Sequence, residues 1–476
     1  MKLSRREFVG RAGCLAAGLN LPPFALQARI QSYSQDYPDM LLNFLAQRLN
    51  AHAAKWDQER AAIRSASDID ARNRFVREKF LKMIHGLPQR TPLNSRVVRV
   101  QELNSYRIEN VMFESRPGFW VTGNLYVPSS RGTFPGIISP CGHYPLARMQ
   151  PAYQAVYLNL VKNGFVVLAY DPIGQGERRQ YWDPRGAPSE ITDPVYEHSM
   201  PGQVLLLMGQ DLTHYRIWDG MRAIDYLLTR PEVDASRIGC AGHSGGGTMT
   251  MFISALDERV RCAVINEGGT SHRWPIEIQP GDRVGPSDVE QNLFPAAVYG
   301  IDRCDLHIAI APRPLLALIE QYSPNFDSAA AHIRRRYQQL GAVDRFATAE
   351  ANDPHAYTLK LRLATTDWFS RWFYQRPGPA VEPDLELQKP EALYSTPRGS
   401  IREARQGQTI FTLIARRGAE LPPRREVPGN ADELASFRSE LKGRITTLLR
   451  LEPLKADQTR TVREIGVTPR KGYDVE

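Results

Sequence analysis

The chain has 476 residues, 42% of them apolar and 24% charged, so it has a globular composition and enough length for one large core and a smaller appendage. Its 60 basic and 52 acidic residues give a formal charge of +8, but the two signs are interspersed, which favours a solvated surface over a nucleic-acid interface. After the N-terminus, no stretch is long and apolar enough to predict a membrane span.

The N-terminal segment has the features of an export signal. Met1-Lys-Leu-Ser-Arg-Arg-Glu-Phe8 precedes a modestly apolar stretch that reaches Leu21. Paired arginines ahead of a short apolar region are typical of twin-arginine signals. We therefore predict a signal peptide over residues 1–28 and a periplasmic or secreted protein, with an amphipathic N-terminal helix as the alternative.

Residues 37–96 predict a helical segment that caps the core domain. Apolar residues recur at three- and four-residue spacing from Met40 to Leu45 and again from Phe75 to Ile84. Gly86 and Pro88 predict the end of the second helix.

Residues 97–377 predict a catalytic domain of the α/β class. Two stretches with a period of two, Arg107–Phe113 and Trp120–Val127, predict an antiparallel hairpin that opens the sheet. Short apolar runs that alternate with helical segments follow at Pro135–Ser139, Phe165–Tyr170, Ile238–Ala241, Val260–Ile265, Pro314–Ile319 and Arg345–Ala349. This order predicts a mostly parallel central sheet with helices on both faces.

Residues 378–476 are expected to form a short C-terminal appendage, because Gln375-Arg-Pro-Gly-Pro379 breaks the preceding helical pattern. Within the appendage, Gln408–Ile414 predicts a short β-like run and Ala431–Leu451 a helix.

The sequence Gly242-His-Ser-Gly-Gly246 lies between an apolar run and a stretch of small residues. A strand, a G-x-S-x-G turn and a helix in that order form a nucleophile elbow, a strained turn that exposes the serine hydroxyl. The five-residue pattern is common by chance, so its context carries the assignment of Ser244 as the nucleophile.

Acyl transfer at a serine also needs a histidine base and a carboxylate that orients it. His355 follows the last predicted strand and precedes the last amphipathic helix, which is where an α/β-hydrolase carries its base. Three carboxylates are candidates for the acid. We favour Glu267, since glycines follow it and let the backbone approach the site; Asp327 and Glu320, after the Pro314–Ile319 strand, are the alternatives.

The oxyanion that forms during acyl transfer needs backbone N–H donors. The amide of Gly245 is the expected first donor. The second is expected from the loop after Pro135–Ser139, as the amide of His143 or of Tyr144, because Gly142 lets that loop turn inward.

Arg273, Trp274 and Trp218 are candidate substrate-binding residues, because guanidinium and indole groups bind sugars by hydrogen bonding and stacking. Structural pairing inside the protein is the alternative for these side chains. The four cysteines beyond Cys14 show no C-x-x-C spacing, so we predict no metal site, and we expect no cofactor.

Four motifs in order resemble the acetylxylan-esterase-like α/β-hydrolases of exported bacterial proteins, a group that includes pectin methylesterase-like members. They are Cys141-Gly-His143, Asp171-Pro-Ile-Gly-Gln-Gly-Glu-Arg178, Tyr215-Arg-Ile-Trp-Asp-Gly220 and Gly242-His-Ser-Gly-Gly-Gly247. The resemblance implies the α/β-hydrolase fold and an esterase that acts on polysaccharide esters. Relatives carry aspartate where this chain has Gln321.

Two further features of the sequence bear on that resemblance. Glu267 is similar to the triad acid of glucuronoyl esterases, but the lysine that those enzymes carry beyond the serine is missing here. Because relatives continue into a second hydrolase-like domain, the C-terminal stretch from Arg463 is expected to be the start of such a domain, cut short.

The sequence thus predicts an exported serine esterase that removes acetyl or methyl groups from polysaccharide esters. A prolyl-oligopeptidase-like peptidase and a catalytically inactive carbohydrate-binding homologue are the alternatives. The oligomeric state stays open.

Overall fold

The computed structural model describes residues 40–181, 191, 193–270, 288–293, 295–320, 324–404, 407–421, 427–449, 451, 468–470 and 473–475. The predicted signal peptide, residues 1–28, lies outside this range. The chain divides into two compact units between Gly418 and Ala419.

The first unit is built on a nine-stranded sheet with the order β1-β2-β3-β5-β4-β6-β7-β8-β9. The strands are β1 (Arg96–Glu102), β2 (Tyr106–Arg116), β3 (Phe119–Pro128), β4 (Phe134–Pro140), β5 (Val166–Tyr170), β6 (Val233–His243), β7 (Val260–Asn266), β8 (Leu315–Ile319) and β9 (Phe346–Glu350). Strands β4 to β9 pair in parallel, and β1, β2, β3 and β5 pair antiparallel. The mostly parallel sheet predicted from the alternating runs is confirmed, and so is the α/β-hydrolase fold that the resemblance implies.

Helices cover both faces of the sheet. They are α1 (Met40–Ala61), α2 (Ala66–Met83), α3 (Pro151–Lys162), α4 (Pro194–Leu207), α5 (Leu212–Leu227), α6 (Gly245–Leu256), α7 (Ala296–Tyr299), α8 (Arg303–Ile308), α9 (Pro324–Gln339), α10 (Leu359–Tyr374), α11 (Pro390–Leu393) and α12 (Ile410–Ala419). Two large apolar clusters result, one with α5 and α6 and the other with α3 and α10. Burial on both faces explains why the central strands are continuous apolar runs.

The N-terminal helices pack on the layer that contains α6 and α8. A capping box between Ser65 and Asp68 starts α2, and Phe80 on α2 packs edge-on against Phe252 on α6 with ring centroids 5.2 Å apart. Arg60 on α1 forms a buried ion pair with Asp305 on α8 at 2.9 Å. The structure therefore has helices where the spacing of apolar residues predicted them.

The first compact unit extends beyond residue 377, the predicted end of the catalytic domain. The carboxylate of Glu177, fully buried, accepts the backbone N–H groups of Ser395 and Thr396 at 2.8 Å each. Arg148 donates to the same carboxylate at 2.6 Å and to the carbonyl of Leu393 at 2.9 Å. These bonds fix the segment around α11 against the sheet.

The β-like run predicted at Gln408–Ile414 is wrong, because these residues enter helix α12. Thr409 caps the helix by accepting the N–H of Thr412 at 3.2 Å. Ile410 and Leu413, three residues apart, are buried together in one apolar cluster. Tertiary packing at helical spacing outweighs the strand preference of this β-branched stretch.

The second unit contains helix α13 (Ala431–Leu449) and a small antiparallel hairpin of β10 (Thr468–Arg470) and β11 (Tyr473–Val475). Across the portion of the chain that the structure covers, no helix has the length and apolarity needed to cross a bilayer.

We expect Glu177→Gln to lower the free energy of unfolding by about 1.5–3 kcal/mol, because Arg148 loses a charged partner while its pairing with Asp171 remains. Chemical denaturation measures the change. Arg371→Ala is the matched control, since it removes an ion pair whose arginine side chain is 60% exposed, and we expect it to cost less than about 1 kcal/mol. Equal effects of both changes would contradict this assignment.

Candidate active site

The carboxyl ends of β6, β8 and β9 bring Ser244, Glu320 and the loop of His355 to one edge of the sheet. Ser244 follows β6 and precedes α6 with φ 58° and ψ −125°, a backbone conformation that residues with a side chain rarely adopt. Its N–H donates to the carbonyl of Asn266 at 2.9 Å, and its carbonyl accepts the first hydrogen bond of α6 from Thr248. This is the strained turn that the G-x-S-x-G motif predicts.

His355 lies in the loop between β9 and α10, with its imidazole between a hydroxyl and a carboxylate. Its Nε2 is 3.1 Å from Oγ of Ser244, and its Nδ1 is 2.6 Å from Oε2 of Glu320. The hydrogen bond to Glu320 raises the pKa of His355. The three side chains therefore have the contacts of a nucleophile, a base and an orienting acid.

Glu320, one of the two alternative acids, contacts His355, and this corrects the preference for Glu267. The carboxylate of Glu267 accepts the backbone N–H of Glu320, and its charge also contributes to the raised pKa of His355. Because Glu267 lies at the end of β7, between β6 and β8, it supports the residue that contacts the histidine. Asp327 is exposed in the first turn of α9.

The carboxylate of Glu320 is shared between two histidines. Its second oxygen, Oε1, accepts a hydrogen bond from Nε2 of His243, which is fully buried. Burial opposes ionisation of Glu320, but the hydrogen bonds from His243 and His355 hold its pKa below the usual value. His243 is a site residue that was not predicted from the sequence, although it stands inside the serine motif.

The loop after β4 is fixed by Gln175, whose Nε2 donates to the carbonyls of Gly142 at 2.7 Å and Tyr144 at 3.1 Å. The C=O of Gly142 and the N–H of His143 belong to the same peptide group, and in a trans peptide these two groups point in opposite directions. Because Gln175 binds the Gly142 carbonyl, the N–H of His143 points away from Gln175. The N–H of Tyr144 donates to the carbonyl of Gly142 at 2.9 Å. Of the two predicted donors, Tyr144 is therefore already engaged, and the amide of His143 is the better candidate.

The ring of His143 lies directly over Gly245, where a Cβ would be 2.5 Å from its Cε1. Nε2 of His143 is 2.7 Å from Oε1 of Glu290 and 3.0 Å from Nδ1 of His198. Only a residue without a side chain fits beneath this ring. The side chain of His143 thus lies beside the amide of Gly245, next to the candidate nucleophile.

His143, His198 and Glu290 have the residue types and proximity of a metal-ligand set, as do His243, Glu320 and His355. In the first set, the guanidinium of Arg216 is 2.6 Å from Oε1 of Glu290 and already balances its charge. Although burial favours protonation of Glu290, the facing histidines and Arg216 hold its pKa well below the usual value. Arg216 therefore acts as the counter-ion of Glu290.

The prediction that Trp218 binds substrate is wrong. Its side chain is 1% exposed inside the core, and its indole N–H donates to the carbonyl of Ser115 at 2.7 Å. Trp218 lies on α5 with Tyr215 and Tyr226, which are also buried, so these aromatic residues form part of the core. Arg273 and Trp274 lie outside the described residues.

Comparisons with known proteins agree with this architecture. Residues 76–267 match the model of the acetyl xylan esterase (AXE1) family. The Bacillus subtilis (strain 168) protein named "Putative hydrolase YtaP" is 25% identical over 316 residues, which are 62% of this chain and 98% of that protein. "Uncharacterized protein PA2218" of Pseudomonas aeruginosa is 27% identical over 157 residues, or 32% of this chain and 35% of that protein.

The solved structure named "Methylesterase BT1017" has a similar fold, with a TM-score of 0.59 and 19% identity over 83% of this chain and 81% of its own. Together, the family match and the shared fold confirm the resemblance to the acetylxylan-esterase-like α/β-hydrolases.

We expect Gln175→Leu to slow the labelling of Ser244 by a fluorophosphonate about 10-fold, because the His143 amide loses its fixed direction. Mass spectrometry of the labelled protein measures the rate. Gln101→Leu is the matched control, since Gln101 also donates to a backbone carbonyl, that of Ala392, away from the serine. An unchanged rate in Gln175→Leu would contradict this role.

Proposed function

We propose that this acetylxylan-esterase-like α/β-hydrolase is an exported serine esterase that removes acetyl or methyl groups from polysaccharide esters. The observation that carries the proposal is the continuous line of hydrogen bonds from Ser244 through His355 to Glu320. These three side chains supply the nucleophile, the base and the buried acid that acyl transfer at a serine needs.

In the acylation step, the Ser244 hydroxyl attacks the ester carbonyl while its proton passes to Nε2 of His355. Glu320 stabilises the imidazolium that forms. The protonated His355 then gives its proton to the departing alcohol oxygen as the C–O bond breaks, which leaves the acyl group on Ser244. The departing alcohol is the sugar hydroxyl of an acetyl ester or methanol from a methyl ester.

In the deacylation step, His355 removes a proton from water, and the resulting hydroxide attacks the acyl-enzyme carbonyl. The bond to Oγ of Ser244 breaks, the serine regains its proton from His355, and a carboxylic acid leaves. The amides of Gly245 and His143 are the proposed donors to the oxyanion in both steps, supported by the grip of Gln175 on the loop.

Carbohydrate esters are favoured as substrates by the match to the acetyl xylan esterase family, and methyl esters by the methylesterase among the proteins of similar fold. Gln321 stands where relatives carry aspartate, which favours an inactive carbohydrate-binding homologue, but the contact between the preceding residue Glu320 and His355 weakens that alternative. Export is supported by Arg5 and Arg6 ahead of an apolar stretch.

Ser244→Ala should abolish hydrolysis of acetylated and methyl-esterified polysaccharide while circular dichroism shows an unchanged fold. Glu320→Gln should lower kcat by roughly 10²–10⁴-fold, because the imidazolium of His355 loses its counter-charge. Release of acetate and methanol measures both rates.

Glu267→Gln is the matched control for the acid, and we expect a loss of less than about 10-fold, since Glu267 contacts the backbone of Glu320. A larger loss in Glu267→Gln than in Glu320→Gln would restore Glu267 as the acid. Turnover of a peptide in place of the esters would favour the peptidase alternative.

The pH dependence of kcat/KM follows from the pKa of His355. The imidazole must be neutral to accept the serine proton, and Glu320 raises its pKa above the ordinary value of 6.5. Plotted against pH, kcat/KM should therefore have an acidic limb, in which activity falls as the pH decreases through a value above 6.5. Glu320→Gln should move this acidic limb to lower pH. A limb that stays in place in Glu320→Gln would contradict the pairing.

A further inference from the structure

A line of hydrogen bonds continues from the candidate triad into the interior of the protein. Glu320 accepts from Nε2 of His243, and Nδ1 of His243 is 3.2 Å from the hydroxyl of Tyr153 on α3. The same hydroxyl accepts the backbone N–H of Gly142 at 2.9 Å. The line therefore ends on the loop whose His143 amide is the proposed oxyanion donor.

The proton positions along this line are fixed by the chemistry of its members. A carboxylate only accepts hydrogen bonds, so Nε2 of His243 carries a proton. Burial lowers the pKa of His243, so the ring is neutral and its Nδ1 accepts the hydroxyl proton of Tyr153. Burial raises the pKa of Tyr153, which keeps that proton in place, and its oxygen is free to accept from Gly142.

The charged and titratable groups that face this line come from several neighbouring elements. Glu320 is faced by His243, by His355 and by Glu267 at the end of β7. His243 is also faced by the ring of Tyr357, with centroids 5.6 Å apart.

The space between the two ends of the line is tightly filled. A Cβ at Gly142 would lie 2.5 Å from the hydroxyl oxygen of Tyr153 and 3.0 Å from Cβ of Ser244. The backbone of Gly142 thus fits between the tyrosine and the nucleophile. A shift of the Tyr153 ring would move the loop relative to Ser244.

We propose that His243 and Tyr153 are positioning residues that join the carboxylate of Glu320 and the oxyanion loop into one hydrogen-bonded unit. His243 fixes the carboxylate through the oxygen that His355 does not use. Tyr153 transmits the same constraint to Gly142, so that the acid and the oxyanion donor keep their places relative to Ser244. This inference rests on the proposed esterase function.

The first test compares His243→Phe with His243→Gln on an aryl acetate. His243→Phe keeps a ring but removes both nitrogens, and we expect kcat to fall about 30-fold with KM changed less than about 2-fold. His243→Gln retains an N–H donor near the position of Nε2, and we expect its kcat to stay within about 3-fold of the wild type. An equal loss in both variants would overturn the role of His243.

A double-mutant cycle separates positioning through Glu320 from a general loss of packing. In a Glu320→Gln background, His243→Phe should change kcat by less than about 3-fold, because the group on which it acts is gone. A loss of about 30-fold that persists in this background would overturn the proposal.

Tyr153→Phe tests the far end of the line independently of the folding of His243→Phe. We expect kcat to fall about 5-fold, since the N–H of Gly142 loses its acceptor. Tyr337→Phe is the matched control, because that buried hydroxyl donates to the carbonyl of Arg313 away from the site. Equal rates in the two variants would overturn the role of Tyr153.

Fluorophosphonate labelling of Ser244 in the wild type distinguishes this inference from the function on which it rests. An unreactive Ser244 in folded wild-type protein would overturn the esterase proposal and the positioning roles together. A reactive wild type with unchanged rates in His243→Phe and Tyr153→Phe would overturn the positioning roles alone.

Discussion

The site depends on one buried carboxylate. The side chain of Glu320 is 3% exposed, and a carboxylate in such surroundings stays ionised only if N–H groups compensate for the water that it has lost. His243 and His355 provide one N–H each, and the backbone of Glu320 is fixed in turn by Glu267. The half-exposed His355 owes its orientation to this interior arrangement.

A second set of buried polar and charged groups surrounds the loop after β4, which carries the proposed oxyanion donor. Within the segment after β5, Gln175 holds the loop carbonyls, while Asp171 and Glu177 bind Arg148. Glu177 also binds the backbone at Ser395. One short stretch therefore stabilises both the loop beside Ser244 and the packing of a distant part of the chain, which explains its fully buried charges.

Much of the architecture was predictable from local pattern. Strands β4 to β9 follow from apolar runs bounded by turn residues, and the strained turn at Ser244 follows from its motif. The predictions were wrong where contacts between residues distant in sequence, or packing against the rest of the fold, determine the structure. Trp218 is enclosed by the core, and Ile410 enters a helix because Leu413 is buried beside it. A local pattern carries no information about such partners.

The sequence by itself determined the fold class, the candidate nucleophile Ser244 and the loop of the candidate base His355, because each depends on the order of strands, turns and helices along the chain. Only the tertiary structure decided among the candidate acids. Glu267 and Glu320 both end strands at the same sheet edge, and the difference is which carboxylate reaches Nδ1 of His355. That depends on the spacing of β7 and β8 from the loop after β9 and on the rotamers that packing allows. The tertiary structure also showed that His243 shares the carboxylate of Glu320 with His355.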